Sequence, residues 1–348
     1  MSTKYFYNDM WPYVSRFLPN LEDSARQCGA IKRSRNVPSA EALIRMGMAY
    51  AVSDLSFKDV AAWARALEIA QISGPGLHYR IKTGEAWFEM LLTGVLEEEV
   101  RCEPVGFRVK LVDATVITGP GSVGTDWRAH ISLDPDTGRI ISVELTDAKG
   151  GEIFSRFTFE RGEIVLGDQG YTSPRGIYSV VSSGAHLLFR VNPYSLRVCD
   201  VQKQRMSLLS YMETVGGNEI KEWDVLVPVP SDDAKKTWSS DRAKAWVRGR
   251  ILAFRTQKGD VIWLFTDLDS KKLPKESAKK LFRVRWQIEL LFKRLKSLLH
   301  LDELPTRKGP TAKSWLLLKF LAAALSQRLL APTERFSPRG VRAQFNLL

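Results

Sequence analysis

The sequence predicts an α/β protein in which a helical N-terminal region precedes a core of mixed strands and helices. Three observations predict this class: helical periodicity over about the first 100 residues, alternating strand patterns from about Phe107, and a long helical pattern after residue 275. Strands and helices that follow one another in this order are typical of an α/β core. A chain of 348 residues is long enough for two or three domains.

The chain is basic, with 51 Lys and Arg against 39 Asp and Glu and a formal net charge of +12. A protein this basic usually binds a polyanion, and nucleic acid is the first candidate. Residues 276–348 hold 15 of the basic side chains and 5 of the acidic ones. A solvated tail is the alternative, but these charges lie within an apolar periodic segment, which favours a folded basic face.

Cysteine usage and hydropathy exclude several classes. The three cysteines are an odd number with no CxxC pair, so a disulfide scaffold or a zinc ribbon is not expected and a reducing cytosol is. The first residues contain no long apolar run, and the most apolar stretch, Trp315 to Ala331, is interrupted by polar side chains. We therefore expect a cytoplasmic protein without a signal peptide or a membrane span.

The N-terminal region carries helix-start signals. Ser39 precedes an apolar helical run, and Ser56 to Asp59 forms a capping-box pattern before a second helix. A third short helix carries His78 and Arg80. Two short helices around a turn predict a helix-turn-helix whose second helix enters the major groove of DNA, with an ordinary helical bundle as the alternative. His78 and Arg80 are therefore candidate DNA-binding residues.

The strand patterns of the core cover residues 107–117, 127–133, 139–145, 164–168 and 186–191, with a helix at 174–182. The glycine-rich loop from Gly119 to Gly124 lacks the GK[ST] ending of a phosphate-binding loop, so we interpret it as a turn. Strand-biased residues 192–266 interrupt the α/β pattern and predict an inserted β subdomain. A long helix is predicted from about Lys275 to His300, and a last amphipathic helix from Thr311 to Leu330.

Three acids stand out by position: Asp113 late in one strand, Asp168 at the end of a second buried strand, and Glu289 in the middle of a helix. Each alone is unremarkable, because acids at strand ends usually cap the chain or face water. Together, carboxylates from two strands and a helix can hold two divalent ions that clamp the attacking and leaving oxygens of a phosphodiester. Oxygen ligands suit Mg²⁺ or Mn²⁺.

The helix around Glu289 gives the sharpest pattern. At about 100° per residue, Phe282, Arg285, Glu289 and Lys296 share a stripe roughly 60° wide beside the apolar side of the helix. An acid flanked by two cations suits a metal-binding carboxylate with phosphate-binding neighbours. A charge ladder on a solvated surface is the alternative; it explains Arg285 and Glu289 but not the two distant aspartates.

These segments resemble a known family. The context RVRWQIELLFKRLKS, with Phe282, Arg285, Glu289 and Lys296, resembles the YREK signature of DDE transposases of the insertion-sequence-four type, which are cut-and-paste elements. The segments LVDATVI and LGDQGY resemble the two aspartate motifs of that family. The resemblance covers the whole chain in order and implies an RNase H-like, retroviral-integrase-like catalytic core with a β-rich insertion, a helical N-terminal domain and C-terminal helices.

The resemblance implies five segments. They are a helical N-terminal DNA-binding domain at 1–103, the first part of the core at 104–191, the β-rich insertion at 192–266, the core with the catalytic helix at 267–303, and a C-terminal helical segment at 304–348. It also implies that Asp113, Asp168 and Glu289 are catalytic and bind two Mg²⁺ ions, for which Mn²⁺ can substitute.

The resemblance further implies DNA-binding roles near the catalytic helix. Arg285 and Lys296 would hold phosphates of the transposon end. Phe282 departs from the family, which has Tyr there, so one phosphate hydrogen bond is lost although a ring can still pack on DNA. For Trp286, two interpretations stay open: contact with DNA and packing in the interior. Lys293 is a further DNA-binding candidate on the same helix.

Trp263 lies in the segment VIWLFT at the end of the insertion. In hairpin-forming members of the family, a tryptophan in a similar segment stacks on a flipped base. The aromatic ring replaces the stacking that the base loses when it leaves the DNA helix. The alternative is a core tryptophan in a β-strand.

The implied function is that of a prokaryotic, nucleoid-associated DNA transposase. It would bind terminal inverted repeats in double-stranded DNA, cleave the transposon end, pass through a DNA hairpin and join the end to target DNA as a homodimer in a synaptic complex. The alternatives are a catalytically inactive, transposase-derived DNA-binding protein and an RNase H-like metal nuclease without strand transfer. An intact acidic triad argues against the first, since unused buried acids cost stability.

Overall fold

A computed structural model describes residues 11–32, 36–97, 108–216, 219–230, 243–306 and 309–330. It is a mixed α/β protein, as the sequence predicts, with one ten-stranded sheet, a layer of helices on one face and the helix Pro174–Ser182 on the other. In the part of the chain that is described, no helix is long and apolar enough to cross a membrane.

The N-terminal region is helical, as predicted. Its helices are α1 (Leu21–Gln27), α2 (Ala40–Val52), α3 (Phe57–Ala66), α4 (Gly74–Thr83) and α5 (Glu85–Glu97). Both predicted N-caps are confirmed: the hydroxyl of Ser39 accepts from the Ala42 amide at 3.0 Å, and that of Ser56 accepts from the Asp59 amide at 3.2 Å. Each cap satisfies an amide that the first helical turn leaves unpaired.

The sheet contains β1 (Val109–Ile117), β2 (Trp127–Asp134), β3 (Arg139–Asp147), β4 (Ile164–Gly167), β5 (His186–Arg190), β6 (Val198–Cys199), β7 (Arg205–Met206), β8 (Lys221–Pro230), β9 (Ala243–Arg255) and β10 (Val261–Thr266). Their order is β3-β2-β1-β4-β5-β10-β9-β8-β6-β7. The β1–β4 and β4–β5 pairs are parallel and the other pairs are antiparallel. The predicted β2–β3 hairpin is therefore confirmed.

The strand-rich segment after β5 does not form a separate sheet. Its last strand, β10, pairs with β5 through Leu264 opposite Arg190, and β9, β8, β6 and β7 continue outward from it. This arrangement differs from the subdomain that the sequence suggests. The backbone N–H and C=O groups along the edge of β5 would otherwise be unpaired, and β10 supplies their hydrogen-bond partners. The inserted strands and the core consequently share one continuous sheet.

The remaining helices are α6 (Pro174–Ser182), α7 (Lys275–Phe282), α8 (Trp286–Leu299) and α9 (Pro310–Leu330). The prediction of one unbroken helix from Lys275 to His300 is wrong, because a 3₁₀ turn at Arg283–Arg285 separates α7 from α8. Such a turn closes over three residues rather than four. Positions before and after it therefore do not keep the phase of about 100° per residue, and Phe282 stands on the preceding helix.

Helix α9 is buried on nearly all sides rather than amphipathic. Even Lys319 is 1% exposed, and its amine donates to the carbonyl of Leu299 at the end of α8. Near the other end of α9, Arg328 donates to the Val95 carbonyl at 2.7 Å. The helix packs against α2, α4 and α5. It thus forms the centre of one apolar cluster that also includes α8 and one face of the sheet.

Candidate active site

Asp113 and Asp168 occupy matched places on neighbouring parallel strands. Leu111 of β1 lies opposite Leu166 of β4, and each aspartate follows two residues later. Side chains two residues apart share a face of a sheet, and neighbouring strands lie about 4.8 Å apart. Both carboxyl groups therefore belong to one face, Asp113 at the middle of β1 and Asp168 just past the carboxyl end of β4.

Arg285 joins the third acid to the first. Its Nη2 pairs with Oε1 of Glu289 at 2.5 Å, and its Nη1 lies 3.7 Å from Oδ2 of Asp113. The apolar side of α8, with Ile288 and Leu291, is buried in the cluster beneath the helical layer. That burial fixes the helix so that acids 176 positions apart in the sequence meet at one guanidinium.

Asp113 has a strongly perturbed pKa. The pKa of its carboxyl is raised to about 7, chiefly by burial and also by the negative charges of Asp168 and Glu152. The amide of Ala114, which donates to Oδ1 at 2.8 Å, and the positive charge of Arg285 act in the opposite direction. A buried acid among like charges is costly, and a bound cation removes that cost.

The donor set fits hard divalent cations such as Mg²⁺ and Mn²⁺, which prefer carboxylate oxygens. Oδ1 of Asp168 is buried and has no hydrogen-bond partner among the described residues. As the side chains stand, no three acidic, histidine or cysteine side chains of the described chain are close enough to share an ion. Arg285 lies between Asp113 and Glu289, so a shared site requires its guanidinium to leave Glu289.

The helical DNA-binding candidates lie beside these acids. Trp286, the residue after the 3₁₀ turn, is 53% exposed. Lys293 is exposed and Lys296 is half-buried on α8. Phe282 is half-buried, and the guanidinium of Arg285 stands over its ring at 5.6 Å. This surface offers rings and cations to a ligand bound at the acids.

Trp263 does not lie on that surface. It is 2% exposed, and its ring packs 5.9 Å from that of Trp223 in the cluster on the opposite face of the sheet. This is the core position that the sequence left as the alternative. No base can stack on the ring while β10 stays paired in the sheet.

His78 and Arg80 take part in helix packing. Nε2 of His78 lies 3.1 Å from the hydroxyl of Thr311 on α9, and Arg80 donates to the carbonyl of Ala30 at 3.2 Å. These contacts attach α4 to α9 and to the segment after α1. They favour the helical-bundle alternative, and a DNA-binding role for either residue remains a prediction.

Two residues near the acids were not named by sequence reasoning. Tyr171 is completely buried, and its hydroxyl has no hydrogen-bond partner among the described residues. Burial, followed by the charges of Asp113 and Glu152, raises the pKa of this hydroxyl. Tyr171 lies in the LGDQGY segment, which could have drawn attention to it. Glu152 lies in an irregular segment after β3 and has no comparable signal.

Two aspartates on neighbouring strands, with a helix glutamate linked to the first of them through Arg285, are the arrangement expected of a DDE-type protein. Residues 105–325 match the family described as the transposase DDE domain. The chain belongs to this family of transposases.

Two relatives from Escherichia coli match nearly the whole chain. The transposase of insertion sequence element IS421 is 31% identical over 369 residues, covering 97% of this chain and 99% of the relative. The transposase InsL of element IS186A, from strain K12, is also 31% identical with the same coverage. A solved structure of the piggyBac transposase synaptic complex with hairpin DNA aligns with a TM-score of 0.42 and 7% identity over 92% of this chain and 82% of that one, which is too weak to support an argument.

Proposed function

We propose that this protein is a transposase of the insertion-sequence-four type that binds terminal inverted repeats and catalyses Mg²⁺-dependent strand cleavage and strand transfer. The observation that carries the proposal is the meeting of Asp113 and Glu289 at Arg285, next to the register-matched Asp168. The order β3-β2-β1-β4-β5 with a parallel β1–β4–β5 set supports an RNase H-like core.

In this proposal, Asp113, Asp168 and Glu289 hold the divalent cations. The cations supply charge neutralisation at the attacking and leaving oxygens of a phosphodiester. Arg285 exchanges one anion for another: its guanidinium pairs with Glu289 without DNA and with a backbone phosphate when the transposon end is bound. Because guanidinium groups bind carboxylate and phosphate with similar geometry, DNA binding would release Glu289 for the reaction.

The DNA would lie along α7 and α8. Lys293 and Lys296 would bind phosphates, and Phe282 would pack on the DNA without the hydroxyl that the family's tyrosine supplies. A hairpin intermediate needs an exposed ring for a flipped base. The exposure of Trp286 supports that role better than the burial of Trp263 does. Both transposon ends must be held together for transfer, so we propose a homodimer in the synaptic complex with target DNA.

The test uses the full chain and DNA carrying the terminal repeats that flank its gene. With Mg²⁺ we expect nicked ends, hairpins and products joined to target DNA, and with EDTA we expect binding alone. Asp113→Asn, Asp168→Asn and Glu289→Gln should each abolish cleavage while end binding persists.

Strong cleavage by these purified variants would refute the assignment of the three acids. Binding without cleavage by the parent protein in Mg²⁺ and Mn²⁺ would favour an inactive DNA-binding protein. Cleavage without joined products would favour a nuclease.

A further inference from the structure

Glu152 reaches the turn that carries the second aspartate. It lies after β3, and its carboxylate stands directly on Gly170: a Cβ added at Gly170 would collide with Oε2 of Glu152. Gly170 belongs to the 3₁₀ turn Gln169–Tyr171, for which Asp168 is the N-cap residue. The absence of a side chain at Gly170 therefore lets this carboxylate approach within two residues of Asp168.

The segment that presents Glu152 is firmly built. Phe154, two residues later, is completely buried and packs 4.9 Å from the ring of Tyr171 and 5.6 Å from that of Phe189. Before Glu152, Arg128 donates to the Gly150 carbonyl at 2.8 Å. The backbone is thus attached to the sheet on both sides of Glu152.

Two buried oxygen atoms near this carboxylate have no hydrogen-bond partner among the described residues. Tyr171 is completely buried, and its hydroxyl has no partner among the described residues although the charges of Asp113 and Glu152 both act on it. Oδ1 of Asp168 is likewise buried and without a partner in the described chain. Buried polar atoms are nearly always hydrogen-bonded, and a bound ligand such as a hydrated cation would supply the missing partner of both oxygens.

Charge leads to the same conclusion. Asp113, Asp168 and Glu152 lie close enough for the second and third to act on the first. Arg285 pairs with Glu289 and lies 3.7 Å from Asp113. Arg156 and Arg128 donate to backbone carbonyls just before Glu152, so they offset part of its charge. The three neighbouring carboxylates still repel one another, and a divalent cation would relieve that repulsion.

We propose that Glu152 is a fourth carboxylate of the active site, which turns toward Asp113 and Asp168 when a divalent cation binds and holds the cation or its water ligands together with them, and that the Tyr171 hydroxyl donates to this group. The proposal rests on the proposed function and adds a ligand to its acidic centre. It explains why the turn after Asp168 has glycine at position 170.

Mn²⁺ binding to the full chain without DNA tests the proposal, measured by calorimetry and by the rise of melting temperature with Mn²⁺. Glu152→Gln should weaken Mn²⁺ binding about ten-fold, the size expected when a ligand or its supporting partner is lost. Glu160→Gln is the matched control, since Glu160 is an exposed residue paired with Arg108 at 3.4 Å. It should bind Mn²⁺ as the parent does.

Gly170→Ala provides a second test that keeps the charge of Glu152. The backbone at Gly170 lies outside the left-handed region, so alanine fits the backbone and its Cβ moves the flexible carboxylate. The substitution should weaken Mn²⁺ binding in the parent chain and have no further effect in Glu152→Gln. Equal weakening in both backgrounds would assign the effect to the Asp168 turn and overturn the role of Glu152.

Asp113→Asn separates this inference from the proposed function. If Asp113→Asn loses Mn²⁺ binding while Glu152→Gln keeps it unchanged, the inference fails and the triad stands. If neither substitution changes Mn²⁺ binding, both proposals fail.

Discussion

Nη1 of Arg285 lies 3.7 Å from Oδ2 of Asp113, in the middle of a strand far away in the sequence. The same guanidinium pairs with Glu289. One cation therefore compensates two acids that the proposed reaction needs for metal binding. In the absence of DNA and metal, this contact lowers the cost of collecting negative charge at Asp113 of β1 and at Asp168, which follows β4.

Replacing Arg285 should separate its two roles. In Arg285→Ala, Asp113 and Glu289 lose their counter-ion, so the metal-free protein should lose roughly 1–3 kcal/mol of stability. Mn²⁺ should restore more stability to this variant than to the parent, because the competing cation is gone. DNA cleavage should fall at least about ten-fold, since the proposed phosphate ligand is missing.

Thermal unfolding with and without Mn²⁺ measures the first effect, and Arg283→Ala, at an exposed position of the same turn, is the control. An identical Mn²⁺ response in Arg285→Ala and the parent would show that Arg285 does not compete for these carboxylates.

Replacing the two tryptophans of the catalytic region should have different effects on stability and on DNA binding, because one ring is buried and the other is exposed. Trp263→Ala removes a ring that is 2% exposed and should cost about 3–5 kcal/mol of unfolding free energy. Trp286→Ala removes a ring that is 53% exposed and should change stability by about 0.5 kcal/mol or less, while it weakens binding of the transposon end. Urea unfolding and a DNA mobility-shift assay test the pair. A large loss of stability in Trp286→Ala together with unchanged DNA binding would contradict the surface role.

The buried ion pair of Lys110 and Glu163 should show a large coupling free energy in unfolding experiments. Lys110 and Glu163 are 5% and 1% exposed, and the amine donates to Oε2 of Glu163 at 2.8 Å. Lys110→Met leaves a buried carboxylate without this partner and should cost about 3–5 kcal/mol. The double variant Lys110→Met/Glu163→Leu should be more stable than that single variant, because no uncompensated charge remains. A double-mutant cycle by urea unfolding measures the coupling; strictly additive effects would argue against it.

His130 should make the fold acid-sensitive. It is completely buried on β2, and burial together with the charges of Arg156 and Arg128 lowers the pKa of its imidazole to about 4. The unfolded chain takes up a proton near the usual pKa of about 6.5, so stability is complete above that pH and falls as the pH drops toward 4. The loss at pH 5 should be up to about 2 kcal/mol.

Unfolding at pH 7 and pH 5 in the parent and in His130→Gln measures this effect, since the carboxyl groups common to both proteins cancel in the comparison. The parent should lose more stability than the variant. Equal losses would mean that His130 takes up its proton in the folded state as easily as in the unfolded one.

Local signals in the sequence predicted much of the fold. The caps at Ser39 and Ser56 depend on residues three positions away, and the β2–β3 hairpin depends on one short turn, so both are visible in a single segment. The break at Arg283–Arg285 was missed because apolar periodicity continues through it. The burial of α9 was missed because it depends on helices and strands that lie far away in the sequence.

In the acidic site, too, local patterns predicted some residues, and contacts between distant segments were missed. Asp113, Asp168 and Glu289 were found because strand ends, a helical stripe and family motifs all indicate them. The sequence placed Arg285 on the same helix stripe but not against Asp113, which requires the tertiary packing of α8 on β1. Glu152 has no periodic or motif context, and its place became visible only through its contact with Gly170.

The position of α9 has a consequence for synthesis of the protein. Its residues follow those of α1 to α5 by more than two hundred positions in the sequence, so they are synthesised later, yet they complete the interior of the layer that these helices form. A nascent chain that stops before Pro310 exposes the apolar faces of α2 and α5 and becomes a substrate for chaperones and proteases. We therefore expect a chain that ends before Pro310 to be degraded instead of accumulating as a stable shortened protein.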